Sequence, residues 1–502
     1  MDWIIDTAAM GQAMDLLSAQ WAPWLLIVPG LLLGLLAGAV PGFGPGAMFA
    51  IMLPVAYHLD FLSAMIFMTS IFTGSGFGVA IPAILINVPG SAASVATTFD
   101  GFPMTRQGRQ NEALGLALAA SCFGTAVSYV ILLAFIDNLA GAVLALGPAE
   151  MLLVVFWGLS LIAVMGGDLL KGLMAGMTGL LLATIGFGLM GTERGTLGIP
   201  HLLDGVSSIS AMVGLFAVSE MFRLMHTDYV VEGSKPAPLE FRRILDGVRL
   251  AFRYPVTLLR GSAIGAMIGL LPGVGASLSN LFSYDWARRA APDPDRFGQG
   301  APEGVVAAES ANSSSEGGSM LTLLALGIPG GAGTAMLYTV FALNDITGGP
   351  RFYAENKDVV YAIVLNNIVQ AGALFVVGLA CVHLFSALVR APTRYLVPGV
   401  LAVSISASYA VTGSMIGPIT ALVFGVLGWM MDRHGYSRPA LVVGLLLGDQ
   451  LEAEALRTFQ ISGGSFDYLL GRPIALVLLV LLLATFLRAA MRRRRATGAA
   501  AR

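Results

Sequence analysis

The stretch Gly34-Leu-Leu-Ala-Gly38-Ala-Val-Pro41-Gly42-Phe-Gly44-Pro45-Gly46 decides how this chain is read. It interrupts an apolar run that otherwise reads as one transmembrane helix. Proline removes a backbone donor and glycine removes a side chain, so the helix must break here. In lipid each unpaired backbone group carries a cost of several kcal/mol, so such a break has to be buried in protein or line a polar cavity. The same pattern returns at Gly265-Ala-Met-Ile-Gly269-Leu-Leu-Pro272-Gly273-Val-Gly275.

Composition sets the medium. The 502 residues are 56% hydrophobic and 12% charged, with a mean hydropathy of +0.79. Soluble domains carry about 25% charged residues. The chain therefore reads as an all-α polytopic membrane protein, with about 10–13 transmembrane or re-entrant segments of roughly 20 residues each. The net charge of −2 says nothing about nucleic acid, but the chain has no basic stripe laced with aromatics, so no nucleic-acid partner is expected. Cys122 and Cys381 lie in apolar runs and read as small core residues. The histidines show no metal-ligand spacing, so no metal centre or other cofactor is expected. The N-terminus has no cationic lead, which argues against a cleaved signal peptide.

Along the chain, residues 1–222 form a first repeat with its following spans. Residues 223–260 carry Arg223, Lys235, Arg242, Arg243, Arg249, Arg253 and Arg260 and read as a basic cytoplasmic linker. Residues 261–487 form a second repeat with its following spans, and 488–502 a basic cytoplasmic tail. Spans are expected at Leu169–Met190 and Ala440–Leu447, among others, with Leu451–Gln460 a separate amphipathic piece.

The repeat shows in the spacing of the breaks. Gly265 follows Gly34 by 231 residues, as Pro272 follows Pro41, while Ile328-Pro329-Gly330 follows Val88-Pro89-Gly90 by 240. The longer loop after Trp286 absorbs the difference. Repeat 1 is entered from a segment free of Lys and Arg, and repeat 2 from the basic linker. That asymmetry predicts opposite orientations, hence two inverted repeats with Pro-Gly-broken helices.

Paired breaks of this kind are the best sequence pointer to a transporter's binding site. A half-helix N-terminus presents free N–H groups and about +0.5 of an elementary charge, which suits a carboxylate. The candidate substrate-binding residues are Pro41, Gly42 and Gly44 with their counterparts Pro272, Gly273 and Gly275. Asn87, Pro89, Gly90, Ser91 and Ser94 line the second break of repeat 1. Asn312, Ser313, Ser314, Ser315, Pro329, Gly330, Gly331 and Thr334 belong to that of repeat 2. For the serines and asparagines the plainer reading is interhelical hydrogen bonding, and for the glycines close helix packing. Helix ends do not fully offset the desolvation of a di- or trianion. A coupling ion, Na⁺ or H⁺, is the natural remainder, with a Na⁺ position expected near Asn87 and Asn312. Glu309 and Glu316 fall in the polar half of repeat 2, and an acidic residue at membrane depth is a functional candidate by default.

Two other classes stay open. One is a passive channel or membrane scaffold. The other is an intramembrane aspartyl protease, for which Tyr284-Asp285 supplies one half of the pattern while Leu446-Leu447-Gly448-Asp449 lacks the first glycine of the other.

The chain resembles the large membrane (permease) subunit of the tripartite tricarboxylate transporter family. The carrying strings are Gly38-Ala-Val-Pro-Gly-Phe-Gly-Pro45, Ala83-Ile-Leu-Ile-Asn-Val-Pro-Gly-Ser91, Thr98-Phe-Asp-Gly-Phe-Pro-Met104 with Arg106-Gln-Gly108, and Leu324-Ala-Leu-Gly-Ile-Pro-Gly330. Gly158-Leu-Ser160 and Val423-Phe-Gly-Val-Leu-Gly428 extend it over nearly the whole chain. The family's Ala-Asn-Asn-Ala-like run reads Ala311-Asn-Ser-Ser-Ser315 here. The resemblance implies a symporter of the bacterial inner membrane, driven by an ion gradient without nucleotide hydrolysis. Its partners would be a small membrane subunit, a periplasmic solute-binding protein, membrane lipid and an organic carboxylate such as a di- or tricarboxylate.

Overall fold

A peptide group in lipid has no partner but another peptide group, and nearly every described stretch of the chain is helix. The computed structural model describes residues 6–483 except 41–43, 88, 145–146, 154, 157–168, 189–190, 226–239, 272–274, 389–392, 464, 466–467 and 469–470. Repeat 1 contains α2 (Ala22–Ala39), α3 (Gly44–Tyr57), α4 (Phe61–Gly78), the short α5 (Ala80–Ile86), α6 (Val95–Arg106) and α7 (Gln110–Leu144), after a leading α1 (Thr7–Ala19). Next come α8 (Leu169–Ala183) and α9 (Ser208–Met212), which runs through a π-turn at Val213–Val218 into α10 (Ser219–Leu224). The basic connector holds α11 (Phe241–Ala251). Repeat 2 contains α12 (Pro255–Gly269), α13 (Gly275–Ala290), α14 (Pro302–Leu326), α15 (Ala332–Leu343), α16 (Pro350–Glu355) and α17 (Lys357–Leu388). Then follow α18 (Thr393–Thr412), α19 (Ile416–Arg433), α20 (Arg438–Ser462) and a shorter apolar helix at Pro473–Leu483.

Among the described residues, four helices are long and apolar enough to cross a membrane, at Ala22–Ala39, Phe61–Leu85, Gln110–Asn138 and Lys357–Val382. Two boundaries differ from the sequence reading. The span expected to reach Met190 stops at Ala183, and a hairpin pairs Gly186–Phe187 with Glu193–Arg194. Gly186, Gly191 and Gly195 all take positive φ there, which ends the helix. The amphipathic stretch 451–460 is continuous with the span before it, as one helix, α20.

The repeats superimpose in their packing. In repeat 1, α2 lies parallel to α4, with Gly30, Gly34 and Gly38 set against Ser70, Ile71 and Gly78. In repeat 2, α12 lies parallel to α14, with Gly261, Gly265 and Gly269 set against Ser310, Ala311 and Ser315. These small-residue faces let backbones approach, as the plainer reading of the glycines anticipated. The repeats run oppositely. Along α4 the residues Thr73 and Gly76 meet Glu316 and Asn312 of α14, so these helices are antiparallel. Their supports obey the same inversion. α7 runs parallel to α14, pairing Ser121 with Glu309 and Tyr129 with Glu316. α17 runs parallel to α4, pairing Gln370 with Ile66 and packing Gly378 on Phe77.

The two ends of the bundle differ in charge. Gln107, with Arg106 and Arg109 beside it, reaches the carbonyl of Gln299 at 2.7 Å, which gathers the arginine-bearing loops of both repeats at one end. At the other end Lys357 Nζ lies 2.8 Å from Asp6 and 2.6 Å from Asp137, whose carboxylate also accepts from the hydroxyls of Tyr353 and Tyr361. The hydrogen bond from Lys357 holds the Asp6 carboxyl below its usual range. Phe61 packs its ring on Phe341 and Phe352 at this same end.

The packing at the second breaks is testable. A Cβ on Gly90 would sit 2.7 Å from the Gly38 carbonyl, and one on Gly330 would sit 2.7 Å from Ser319 Cα. Gly90→Ala and Gly330→Ala are each expected to destabilise the fold by about 1–3 kcal/mol through overpacking. Gly372→Ala in α17, where a Cβ meets nothing within 4 Å, is the control. Thermal unfolding in detergent reads the difference, and equal melting temperatures for all three would contradict the geometry.

Candidate functional site

Each repeat is interrupted a second time by a turn that folds back on its own first helix. In repeat 1, α5 stops at Asn87, which takes the left-handed conformation with φ 59°. The chain turns through Pro89 and Gly90 and restarts as Ala92–Ser94 leading into α6. In repeat 2, α14 stops at Gly327 with φ 72°, turns through Pro329 and Gly330, and restarts as α15. Asn87 and Gly327 are equivalent positions. Only a left-handed residue closes a helix this sharply, and asparagine is among the few that tolerate it besides glycine.

The restarts are capped alike. Ser91 Oγ accepts from the Ala93 N–H at 3.2 Å and Ser94 Oγ from the Ser91 N–H at 3.4 Å. Thr334 Oγ1 accepts from the Gly331 N–H at 2.9 Å. Ser94 and Thr334 are fully buried and hold the turns in shape. Each tip also touches the other repeat. Asn280 of α13 donates to the Ala93 carbonyl, and α3 packs on α15. The tips differ in access, since Asn87 and Pro89 are exposed while Gly327 to Gly330 are buried.

Of the other expected residues, Pro41, Gly42, Pro272 and Gly273 lie outside the described residues. Gly44 and Gly275 start α3 and α13. The polar run of α14 divides between two faces. Ser314 faces Gly265 of α12, and Ser315 Oγ donates to the Asn312 carbonyl at 2.7 Å, so this face is helix packing. Asn312 and Ser313 turn the other way, toward α4. Asn312 Nδ2 donates to the Gly76 carbonyl at 3.0 Å, and Ser313 Oγ lies 3.5 Å from where a Gly76 side chain would begin.

The same face of α14 carries two fully enclosed carboxylates. Glu309 accepts from the hydroxyl of Thr97 on α6, from Ser121 Oγ at 3.2 Å and from Asn312 Nδ2 at 3.5 Å. Glu316 accepts from Thr73 Oγ1 at 2.6 Å and from the Tyr129 hydroxyl at 2.8 Å. Among the described residues neither forms an ion pair. Hydrogen bonds to a charged group contribute about 1.5–3 kcal/mol each.

The sequence reading missed the partners Thr73, Thr97, Ser121 and Tyr129. It also missed Asn366, Asn367 and Gln370, all fully buried on α17. Gln370 Nε2 donates to Thr69 Oγ1 at 3.1 Å and to Asn366 Oδ1 at 2.9 Å. A signal was present: Ser121, Thr125 and Tyr129 recur every four residues on an otherwise apolar span, which marks one helix face.

At the basic end the two repeats are joined by Asp100 of α6. Its carboxylate accepts from the backbone N–H groups of Gly298, Gly300 and Ala301 at 2.8–2.9 Å and from the Tyr284 hydroxyl at 2.8 Å. Asp285 beside it is exposed and pairs with Arg289 at 2.7 Å, so Tyr284 and Asp285 serve separate structural contacts.

Inverted repeats with paired interrupted helices, enclosed polar groups between them and an apolar exterior define a multi-pass membrane transporter. The sequence profile of the Tripartite tricarboxylate transporter TctA family matches residues 24–443, and the chain belongs to that family. It is similar to an uncharacterized 52.8 kDa protein in the TAR-I ttuC' 3' region of Agrobacterium vitis, with 32% identity over 464 residues covering 91% of this chain and 90% of the relative. A second Agrobacterium vitis protein, from the TAR-II ttuC' 3' region, is 30% identical over 215 residues, covering 43% of this chain and 89% of its own length. No solved structure matches.

Asp100 gives a graded test of the junction at the basic end. Asp100→Ala strands buried donors and is expected to cost more than Tyr284→Phe, which removes one bond of about 1.5–3 kcal/mol to a charged acceptor. Thermal melting of both variants in detergent checks the order. Equal or reversed effects would mean that the carboxylate does not join the repeats.

Proposed function

We propose that this chain is the permease of a bacterial inner-membrane symporter that imports di- or tricarboxylates or related organic anions. The observation that carries the reading is the pair of equivalent tips, Asn87–Ser94 and Gly327–Thr334, each followed by a capped helix N-terminus. Such ends suit an anion without a fixed cation. The relatives' family supports a tripartite assembly, in which a small membrane subunit and a periplasmic solute-binding protein work with this chain. The binding protein selects the acid, and the permease carries it by alternating access around the tips. A coupling ion, H⁺ or Na⁺, supplies the driving force. One tip exposed and the other buried is what one state of such a cycle looks like.

Within this reading Asn312 positions the site: its amide joins the α4 carbonyl at Gly76 to Glu309. Asn312→Ala is expected to lower uptake on the order of tenfold, the equivalent of about 1.4 kcal/mol, while the binding protein's affinity for the acid stays unchanged. Asn87→Ala tests the exposed tip in the same assay. Radiolabelled citrate uptake by proteoliposomes holding all three components measures both. Wild-type rates in both variants would remove Asn87 and Asn312 from the site. Equilibration without accumulation, insensitive to an ionophore, would instead make the protein a passive channel.

A further inference from the structure

Glu309 and Glu316 stand two helical turns apart on the face of α14 that meets α4, α6 and α7. Four of their five partners are hydroxyls: Thr97 and Ser121 on the first, Thr73 and Tyr129 on the second. A hydroxyl donates to a carboxylate and, turned about, accepts from a carboxylic acid. These partners therefore serve both charge states by rotation of the O–H alone, whereas an arginine in their place would fix the ionised one. Isolated carboxylates in apolar surroundings cost far more than these bonds return. A proton on each neutralises them without any further ligand.

Two orphaned hydroxyls mark the interval between the carboxylates. Thr125 lies one turn from Ser121 and one turn from Tyr129 on α7, and Ser313 lies four residues from Glu309 and three from Glu316 on α14. Both are at least 97% buried, at 1% and 3% exposure, and neither hydroxyl has a partner among the described residues. Each glutamate is linked to one tip through its threonine partner. Thr97, bonded to Glu309, lies three residues past Ser94 on the helix that leaves tip 1. Thr73, bonded to Glu316, adjoins Phe72, which packs on Gly333 at tip 2.

We propose that Glu309 and Glu316 are the proton-binding pair of the transporter, with Thr125 and Ser313 bridging them, so that protonation reports from one tip to the other. The proposal rests on the transport reading above and names its coupling ion. Two protons accompanying a dicarboxylate make import electroneutral. The other ionisable groups on the packed elements stand apart from the pair. α4 has no acidic or basic residue. On α7, Glu112 pairs with Arg109 and Asp137 with Lys357. On α6 and α13, Asp100 is bonded to Tyr284, and Asp285 is paired with Arg289, with Arg106 and Arg288 at the basic end. Arg260 lies on α12 beside its glycine face, Glu303 at the start of α14 accepts from Thr257, and on α16 Arg351 pairs with Glu355.

The test is an infrared pH titration of the full chain with its small subunit in lipid nanodiscs. A protonated-carboxyl band should grow as pH falls and shift in D₂O, and its wild-type-minus-variant difference should be present for Glu309→Gln and Glu316→Gln and largest for the double variant. A band unchanged in the double variant, or none at any pH, overturns the proposal. So does loss of the band on adding NaCl at constant pH, which would make the pair a Na⁺ site. Glu316→Asp, which keeps the acid, should keep the band and guards against misfolding of the glutamine variants. In proteoliposomes with the binding protein and citrate as probe, the wild-type ratio of uptake with and without an inside-alkaline gradient should exceed unity and fall to unity in the variants. A ratio maintained in the double variant overturns the proposal as well. If wild-type protein moves no acid at all, the transport reading fails while the infrared result still decides whether the pair binds protons.

Discussion

A helix broken inside an apolar layer leaves peptide groups that water cannot reach, and this constraint shapes the rest of the structure. The chain meets it twice with the same device. Each second break closes on a left-handed residue, Asn87 or Gly327, and restarts under a side-chain cap, from Ser91 and Ser94 in one repeat and Thr334 in the other. The turn is then pressed onto the end of the repeat's first helix, Gly90 against the Gly38 carbonyl and Gly330 against that of Gly269. Those contacts exist only because both partners lack side chains. At the restarts the first N–H groups are taken up by these caps, those of Ser91 and Ala93 in one repeat and of Gly331 in the other.

The polar side chains divide by helix face according to two different demands. On α14, Ser314 and Ser315 sit where a backbone comes close, and their smallness matters more than their hydroxyls. Glu309, Asn312, Ser313 and Glu316 share the other face, toward α4, α6 and α7, where Thr73, Gly76, Thr97, Ser121 and Tyr129 supply their hydrogen-bond partners. The serine run at 313–315 is thus two kinds of serine. Helical geometry separates them, since adjacent residues on a helix point about 100° apart.

The breaks, their spacing and the inversion were legible because proline and glycine change local backbone energetics whatever surrounds them. The charge distribution was legible for a similar reason, being a property of loops. The partners of Glu309 and Glu316 were not. Thr97, Ser121, Thr73 and Tyr129 come from three helices more than 180 residues away from them in the chain. A single threonine or serine in an apolar span reads as tolerated, because its hydroxyl can bond the preceding turn. The ends of α8 and α20 were misplaced because hydropathy alone does not see a hairpin or a continuous helical backbone.

The repeats share a backbone but not a charge. The positions of repeat 1 equivalent to Glu309 and Glu316 hold Thr69 and Gly76. Gly76 contributes its backbone: its carbonyl accepts from Asn312, and Ser313 Oγ lies 3.5 Å from where a side chain would begin. One repeat therefore supplies the carboxylates and the other supplies the room and the donors for them. Because α4 and α14 are antiparallel, each carboxylate falls near a different tip, Glu309 by tip 1 and Glu316 by tip 2. Two parallel repeats would set both tips at the same depth, and one rigid helix would not reach from the surroundings of one to the other. Inversion, which the lysines and arginines of the loops announce, is thus what lets α14 touch both ends of the candidate site with groups two turns apart.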